Sequence, residues 1–423
     1  MNPTQSLSAT VADGAVDGIV RQPLAERIPE PNSGSAVQRP TNQPRAAHLA
    51  TRCIHGTGPL PDATGAISVP IYQTATFAHP AVGESTGFDY TRTENPTRAA
   101  FESTVASLES GVAAFAFASG MAAIATVLEL FKPGDHIVVS ADVYGGSHRL
   151  FSQVSAKNGL AFTRAGSDQA IAQAITPATK AVFIETPSNP MMQVIDIAAA
   201  ARAAHKAGAW LIVDNTFLTP YFQRPLELGA DIVVHSATKY LSGHNDTLAG
   251  VAVAVDPDVA AQIGALSSTI GGTLAPFDAW LALRGVKTLA VRLDRQAATA
   301  HELAHWLRRH PAVHEVNYPG FADHPGFAVS QRQASGYGAM ISFRVSDAAR
   351  AVNALKSVRI IQFAESLGGT ESLLTYPLTQ THADVPPAVR LEVGIDDRLL
   401  RLSVGLEDER DLRADLEQAL ASG

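Results

Sequence analysis

An α/β fold is what this 423-residue sequence predicts: a mainly parallel sheet covered by helices on both faces, followed by a smaller α+β domain. Two observations carry that prediction. Between about Thr104 and Leu289, short unbroken apolar runs alternate with helical stretches. Strands buried on both faces lose the in–out alternation of a half-exposed sheet, so such runs fit a parallel sheet sandwiched by helices. After Leu289 the texture changes to a long amphipathic stretch, isolated strand-like pieces and an acidic C-terminal helix.

Residues 1–45 carry Pro3, Pro23, Pro29, Pro31, Pro40 and Pro44 with little periodic hydrophobicity, and read as a disordered tail. The tail lacks the apolar stretch of a signal peptide, and Asp13, Asp17, Glu26 and Glu30 argue against a transit peptide. Residues 46–103 are irregular with little helix, the pattern of an arm that wraps over its own domain or a neighbouring subunit. In the domain of residues 104–289, a helix from Met121 to Phe131 ends at Lys132-Pro133-Gly134, and His136 to Ser140 reads as a strand. Ala181 to Ile184 is a second strand, followed by a helix over Ile197 to Lys206 with Gly208 suited to its C-terminal cap. Trp210 to Val213 and Asp231 to Val234 are two more strands. In residues 290–423, a helix runs through His310, Ala339 to Phe343 reads as a strand, and Glu407 to Leu420 as the final helix.

The balance of 32 Lys+Arg against 40 Asp+Glu gives a net charge of −8, which leaves no electrostatic footprint for nucleic acid or an anionic membrane. The single cysteine, Cys53, cannot form an internal disulfide, which fits a reducing compartment, and no apolar run approaches the ~18 residues of a membrane span. A cytoplasmic location is expected.

The chemistry concentrates at strand ends. Lys239, in His235-Ser236-Ala237-Thr238-Lys239-Tyr240, follows a buried apolar run, with hydroxyls at Ser236 and Thr238 beside it. Desolvation lowers a lysine's pKa and frees its neutral amine to attack carbonyls, so this stretch suits a Schiff base to a phosphorylated aldehyde such as pyridoxal phosphate. Glu185, Asp214 and Ser236 each follow an apolar strand, and in an open α/β sheet ligands bind outside the carboxyl ends of the strands. Asp214 is the natural partner for a pyridinium nitrogen. Ser119-Gly120-Met121 opens a helix whose free N–H groups favour phosphate, and Tyr144 is placed to stack on a planar ring.

Six motifs occur in one order: Tyr90-x-Arg92 with Asn95-Pro96-Thr97, Ser119-Gly120-Met121, Tyr144-Gly145-Gly146, Glu185-Thr186-Pro187-Ser188-Asn189-Pro190, Val213-Asp214-Asn215-Thr216 and Ser236-Ala237-Thr238-Lys239-Tyr240. The set resembles the Cys/Met-metabolism family of pyridoxal-phosphate enzymes, which share the fold-type I (aspartate-aminotransferase-like) architecture. The resemblance implies that Lys239 carries the cofactor and shuttles protons, Asp214 pairs with the ring nitrogen, and Tyr144 stacks on the ring. It implies further that Gly120, Met121, Ser236 and Thr238 hold the phosphate, and that Tyr90 and Arg92 reach the phosphate of an adjacent subunit in a homotetramer with shared sites. Asn189, Ser366 and Arg401 would hold the substrate carboxylate, a task for which a guanidinium is suited by its bidentate grip. Two departures from the family pattern stand out: Glu94 where glycine is usual, and Thr247 where valine is usual.

By the same resemblance, Glu365 is typical of γ-synthases and γ-lyases, and with Arg149 it would select the distal end of the substrate. The expected reaction is γ-replacement of an O-acylhomoserine by cysteine, as in cystathionine γ-synthases. Cystathionine γ- or β-lyase, methionine γ-lyase and O-acylhomoserine sulfhydrylase are the alternatives. A rival reading is a zinc hydrolase through His301-Glu302-x-x-His305, but Arg308 and Pro311 stand where the extended motif needs glycine and histidine. No metal is therefore expected.

Overall fold

The computed structural model describes residues 47–56 and 64–421. The tail expected over residues 1–45 lies outside them. Strand β1 spans Ala113–Phe117, β2 His136–Ser140, β3 Ala161–Ala165, β4 Thr179–Glu185, β5 Trp210–Asp214, β6 Ile232–His235 and β7 Gly250–Ala254. These strands form one sheet in the order β1-β7-β6-β5-β4-β2-β3, in which β2 to β6 pair in parallel and β7 runs against both of its neighbours.

The unbroken apolar runs are explained by what covers each face. Ile137, Val139, Ala181, Phe183, Ile212, Ile232 and Val234 point to one side and pack with Ile124 and Val127 of the helix Gly120–Leu128. Their neighbours in sequence, Val138, Val182, Ile184, Leu211, Val213 and Val233, point to the other side and pack with Ile197, Ala200 and Ala204 of the helix Ile197–Lys206. Burying each such valine or isoleucine contributes roughly 1.5–3 kcal/mol, so both faces drive assembly.

A second sheet has the order β10-β11-β12-β9-β8, from β8 (Val313–Asn317), β9 (Met340–Val345), β10 (Gln362–Phe363), β11 (Leu373–Thr375) and β12 (Leu399–Ser403). Its Ile341, Phe343, Leu400 and Leu402 belong to the same apolar cluster as Val138, Val182 and Val213, so the two sheets share one continuous core. The long helix Leu289–Leu307 buries Leu293, Ala300, Leu303 and Ala304 in that cluster.

Residues 96–109 form a helix that the sequence reading left as irregular arm and loop. Asn95 caps it by accepting from the N–H groups of Thr97 and Arg98, and Pro96 occupies its first turn. The arm before it is mostly exposed, with a helix at Leu49–His55. Among the described residues no helix is long and apolar enough to cross a membrane.

Candidate active site

Strand β6 delivers the chain to Ser236, and a tight turn follows in which Lys239 N donates to Ser236 O at 3.1 Å. Lys239 is half-buried, and its Nζ donates to Ser366 Oγ at 2.8 Å. Burial, reinforced by the nearby Arg401 guanidinium and partly offset by Glu365, brings its pKa down to about 8. An amine with that pKa is neutral in roughly a tenth to a fifth of molecules near physiological pH, far more than an ordinary lysine. In cofactor-free protein, labelling of Lys239 by a small amine-acylating reagent should therefore rise through a midpoint near pH 8. Peptide mapping against pH checks this, and a midpoint near that of an ordinary lysine, ~10.4, would show that the amine is not desolvated.

The carboxyl ends of β4 and β5 place Glu185 and Asp214 side by side, since they are register partners across the two strands. Both are buried. Asp214 Oδ1 accepts from the N–H of Thr216 at 3.0 Å and from its hydroxyl at 2.5 Å, while Oδ2 is left without a partner among the described residues. Glu185 Oε2 accepts from Tyr144 N at 2.8 Å. Burial raises both carboxyls, and the charge of Asp214 pushes Glu185 higher still. Two like charges at adjacent buried positions do not both ionise readily, and the pair's mutual repulsion falls most heavily on Glu185.

Behind Asp214 lies a second buried pair. His235 Nε2 sits 2.6 Å from Glu109 Oε1, which also accepts from Asn215 Nδ2 at 2.9 Å. One carboxylate thus ties the residue after Asp214 to the residue before Ser236. The sequence reading missed this pair, and it missed Thr216, whose hydroxyl also accepts from Ser236 N at 2.9 Å. It missed Asp142 as well, which lies just beyond β2 and accepts from the Ser188 hydroxyl and the Met191 N–H. The strand-end rule that singled out Glu185 and Asp214 points equally to Asp142 and His235.

At the start of the helix Gly120–Leu128, the Ser119 hydroxyl caps the Ala122 N–H at 3.1 Å. A side chain at Gly120 would stand 2.9 Å from the Cα and Cβ of Ser236, so only glycine lets this helix start approach the strand end. The Thr238 hydroxyl donates to Ala249 O at 3.1 Å and accepts from Ala249 N at 2.9 Å, pinning the lysine turn to the chain entering β7.

The second sheet supplies the cation. Arg401, on β12, is 1 % exposed and donates to Asn189 Oδ1 at 2.7 Å, Ser366 O at 2.8 Å and Thr375 Oγ1 at 3.1 Å. Its Nε is buried without a partner. Ser366 therefore touches both key cations, the lysine through its hydroxyl and the arginine through its carbonyl. It does so from a left-handed backbone, φ 89°, that a serine rarely adopts.

A cleft of about 970 Å³ beside this group is lined by Thr238, Glu365 and Ser366 together with Asp246, Asp278 and Glu371. Thr247 also lines it and donates to Asp278 Oδ1 at 2.7 Å, a bond that a valine there cannot make. Tyr144 is 37 % exposed, and its backbone N–H anchors Glu185. Met121 lies against Gly146 in the short helix Gly145–Arg149 that follows Tyr144.

Of the expected site residues, Thr238, Glu365 and Ser366 line this cleft, whereas Lys239, Asp214, Asn189, Arg401 and the others lie outside its lining. Arg149 is exposed and ion-paired with Asp384. Tyr90 and Arg92 lie on the exposed arm, with the Arg92 guanidinium 5.6 Å over the Tyr90 ring and donating to Ser268 O. The rings of His301 and His305 pack edge-on at 4.5 Å and meet Tyr318 and Phe321, the contacts of an aromatic cluster.

The donor set fits pyridoxal phosphate. It comprises a lysine of depressed pKa, a buried aspartate at a strand end, a glycine-gated helix start and a buried arginine with an unpartnered N–H. Comparison with known proteins agrees. The sequence model of the family described as Cys/Met metabolism PLP-dependent enzyme matches residues 50–421. A cystathionine γ-lyase of Bacillus subtilis is 47% identical over 372 residues, 88% of this chain and 98% of the relative. A cystathionine γ-synthase of Haemophilus influenzae is 48% identical over 363 residues, 85% of this chain and 94% of the relative. The crystal structure of cystathionine γ-lyase from Lactobacillus plantarum complexed with L-serine superposes with a TM-score of 0.87 at 47% identity, covering 89% of this chain and 99% of that one.

Proposed function

Since this chain belongs to the Cys/Met metabolism family of pyridoxal-phosphate-dependent enzymes, we propose that within it the protein catalyses γ-replacement, joining an O-acylhomoserine to cysteine. Synthases and lyases are about equally similar to it, 48% and 47% identical, so overall likeness does not choose between them. The observation that supports a γ-type reaction is the acidic cleft: Glu365, typical of γ-synthases and γ-lyases alike, lines it beside Ser366, the serine that accepts from Lys239.

When bound, pyridoxal phosphate supplies an electron sink that acidifies the substrate's Cα proton. In this reading Lys239 holds the cofactor through Nζ, Asp214 Oδ2 keeps the ring nitrogen protonated, and Tyr144 stacks on the ring. Gly120, Met121, Ser236 and Thr238 hold the phosphate. Arg401, steadied by Asn189 and Ser366, grips the substrate carboxylate and so fixes the Cα above Lys239. The lysine amine takes the Cα proton and then, in γ-chemistry, one from Cβ, which a pKa near 8 permits at neutral pH. Glu365 attracts the ammonium of the incoming cysteine. Tyr90 and Arg92 complete the phosphate site of a neighbouring subunit within a homotetramer. Arg149, exposed and paired with Asp384, receives a distal carboxylate of the substrate in exchange for that partner.

The direct test is product formation from O-acylhomoserine plus cysteine, set against elimination from cystathionine alone. A rate on cystathionine that exceeds the replacement rate would overturn the γ-synthase reading in favour of a lyase. Glu365→Ala should raise KM for cysteine about ten-fold, the scale of one partly screened charge pair, while changing KM for sulfide, which carries no ammonium, much less. Equal effects on the two thiol donors would reduce Glu365 to a loop acid.

A further inference from the structure

We propose that Arg98 is a positioning residue that presents Tyr90 and Arg92 to the cofactor phosphate of a second copy of this chain, an inference resting on the shared-site reading above. Arg98 is 2 % exposed, in the first turn of the helix Pro96–Glu109. Its Nη1 donates to Thr91 O at 2.7 Å and its Nη2 to Thr93 O at 3.0 Å, the carbonyls on either side of Arg92. The same guanidinium reaches Leu274 O at 3.5 Å, and its Nε lies 3.4 Å from Glu102.

The neighbours of Arg98 hold the rest of the arm. Asn95 Nδ2 donates to Tyr72 O at 2.9 Å and to Thr91 Oγ1 at 3.1 Å. The Thr97 hydroxyl donates to Pro70 O and accepts from Tyr72 N, both at 2.9 Å. The cap and first turn of one helix therefore grip the arm at Pro70, Tyr72, Thr91 and Thr93.

The choice of arginine is informative. A buried cation near a helix N-terminus is opposed by the helix dipole, so helix stability alone does not select it. A planar fork with several donors can bridge two carbonyls two residues apart, whereas the point charge of a lysine cannot hold both in one geometry. Beyond this grip Tyr90 is 46 % exposed and stacked with Arg92. A turn so firmly held on its inner side, and carrying an exposed aromatic–cation pair on its outer side, is built to complete a site elsewhere.

The test uses full-length chains with two affinity tags, purified as verified mixed oligomers. The readout is pyridoxyl label on Lys239 after borohydride reduction at limiting pyridoxal phosphate. Arg98→Ala alone should lose about ten-fold or more of its label, the scale of a charge-assisted contact. Mixed with Lys239→Ala, the Arg98→Ala chains should regain wild-type label, because the intact arm comes from the partner. Arg98→Lys should behave like Arg98→Ala, and it serves as the test if the alanine variant fails to assemble. Full label in Arg98→Ala alone, or no recovery in mixtures where an Arg92→Ala/Lys239→Ala pair does recover, would overturn the proposal and leave Arg98 serving its own chain. If the Arg92→Ala pair also fails to recover, the shared-site reading itself is wrong.

Discussion

Lys239→Ala is expected to abolish turnover, by at least ~10³–10⁴-fold, because one amine serves as both the cofactor's attachment point and the proton carrier. The fold should survive. The buried residues of the turn are Ala237 and Tyr240, whereas the Lys239 side chain is half-buried and its amine donates to Ser366. Circular dichroism and Tm should therefore stay close to wild type while activity disappears. Borohydride reduction of the wild-type holoenzyme should place the pyridoxyl group on Lys239, and the variant should take none. Label on a different lysine, or appreciable turnover in the variant, would remove Lys239 from the centre of the site.

Arg401→Ala should be nearly as damaging, for a different reason. Arg401 is the buried cation whose unshared Nε is available to a substrate carboxylate, and it also satisfies Asn189 Oδ1 and Ser366 O. Truncating one member of a buried charge pair typically costs about 2–5 kcal/mol, so kcat/KM should fall roughly 30- to 4,000-fold. The loss should fall mainly on amino-acid substrates. An amine of the same skeleton without the α-carboxylate should react poorly and equally with both proteins. A variant that discriminates against both compounds alike would assign Arg401 to scaffold alone.

What was legible in the sequence follows from signal strength. The strands β2, β4, β5 and β6 announce themselves because each is a dense apolar run ending in a polar residue, and the same endings locate Glu185, Asp214 and Lys239. Strand β3 was missed because Ala161–Ala165 is an edge strand whose alternating exposure includes Thr163 and Arg164. Strand β1 was missed because Ala113–Phe117 is mostly alanine, which has little β-propensity of its own. The antiparallel β7 carries a clear apolar run, Gly250–Ala254, yet its direction depends on a short connection after the lysine turn rather than on a helix.

In the site, the residues proposed to hold the cofactor sit in family motifs, and these could be read. The supports of those residues could not. Thr216 and the Glu109–His235 pair act through partners up to 126 positions away, and no local pattern reports such a pairing. The exposed ion pair of Arg149 with Asp384, 235 positions away, was likewise beyond any local pattern.

The continuous core shared by the two sheets has a consequence for how this catalyst can be tuned. Lys239 comes from one sheet and Arg401 from the other, so a separate hinge between them would have let the span from amine to guanidinium breathe with each substrate. Close-packed side chains of both sheets instead fill the space between, and interiors packed to crystal-like density yield little. In the proposed reading, the gauge that measures a substrate's head, from carboxylate to Cα, is therefore set once for any amino acid that enters. In that reading, divergence in what the molecule accepts falls to the rim, where Asp246, Asp278, Glu365 and Glu371 line the cleft.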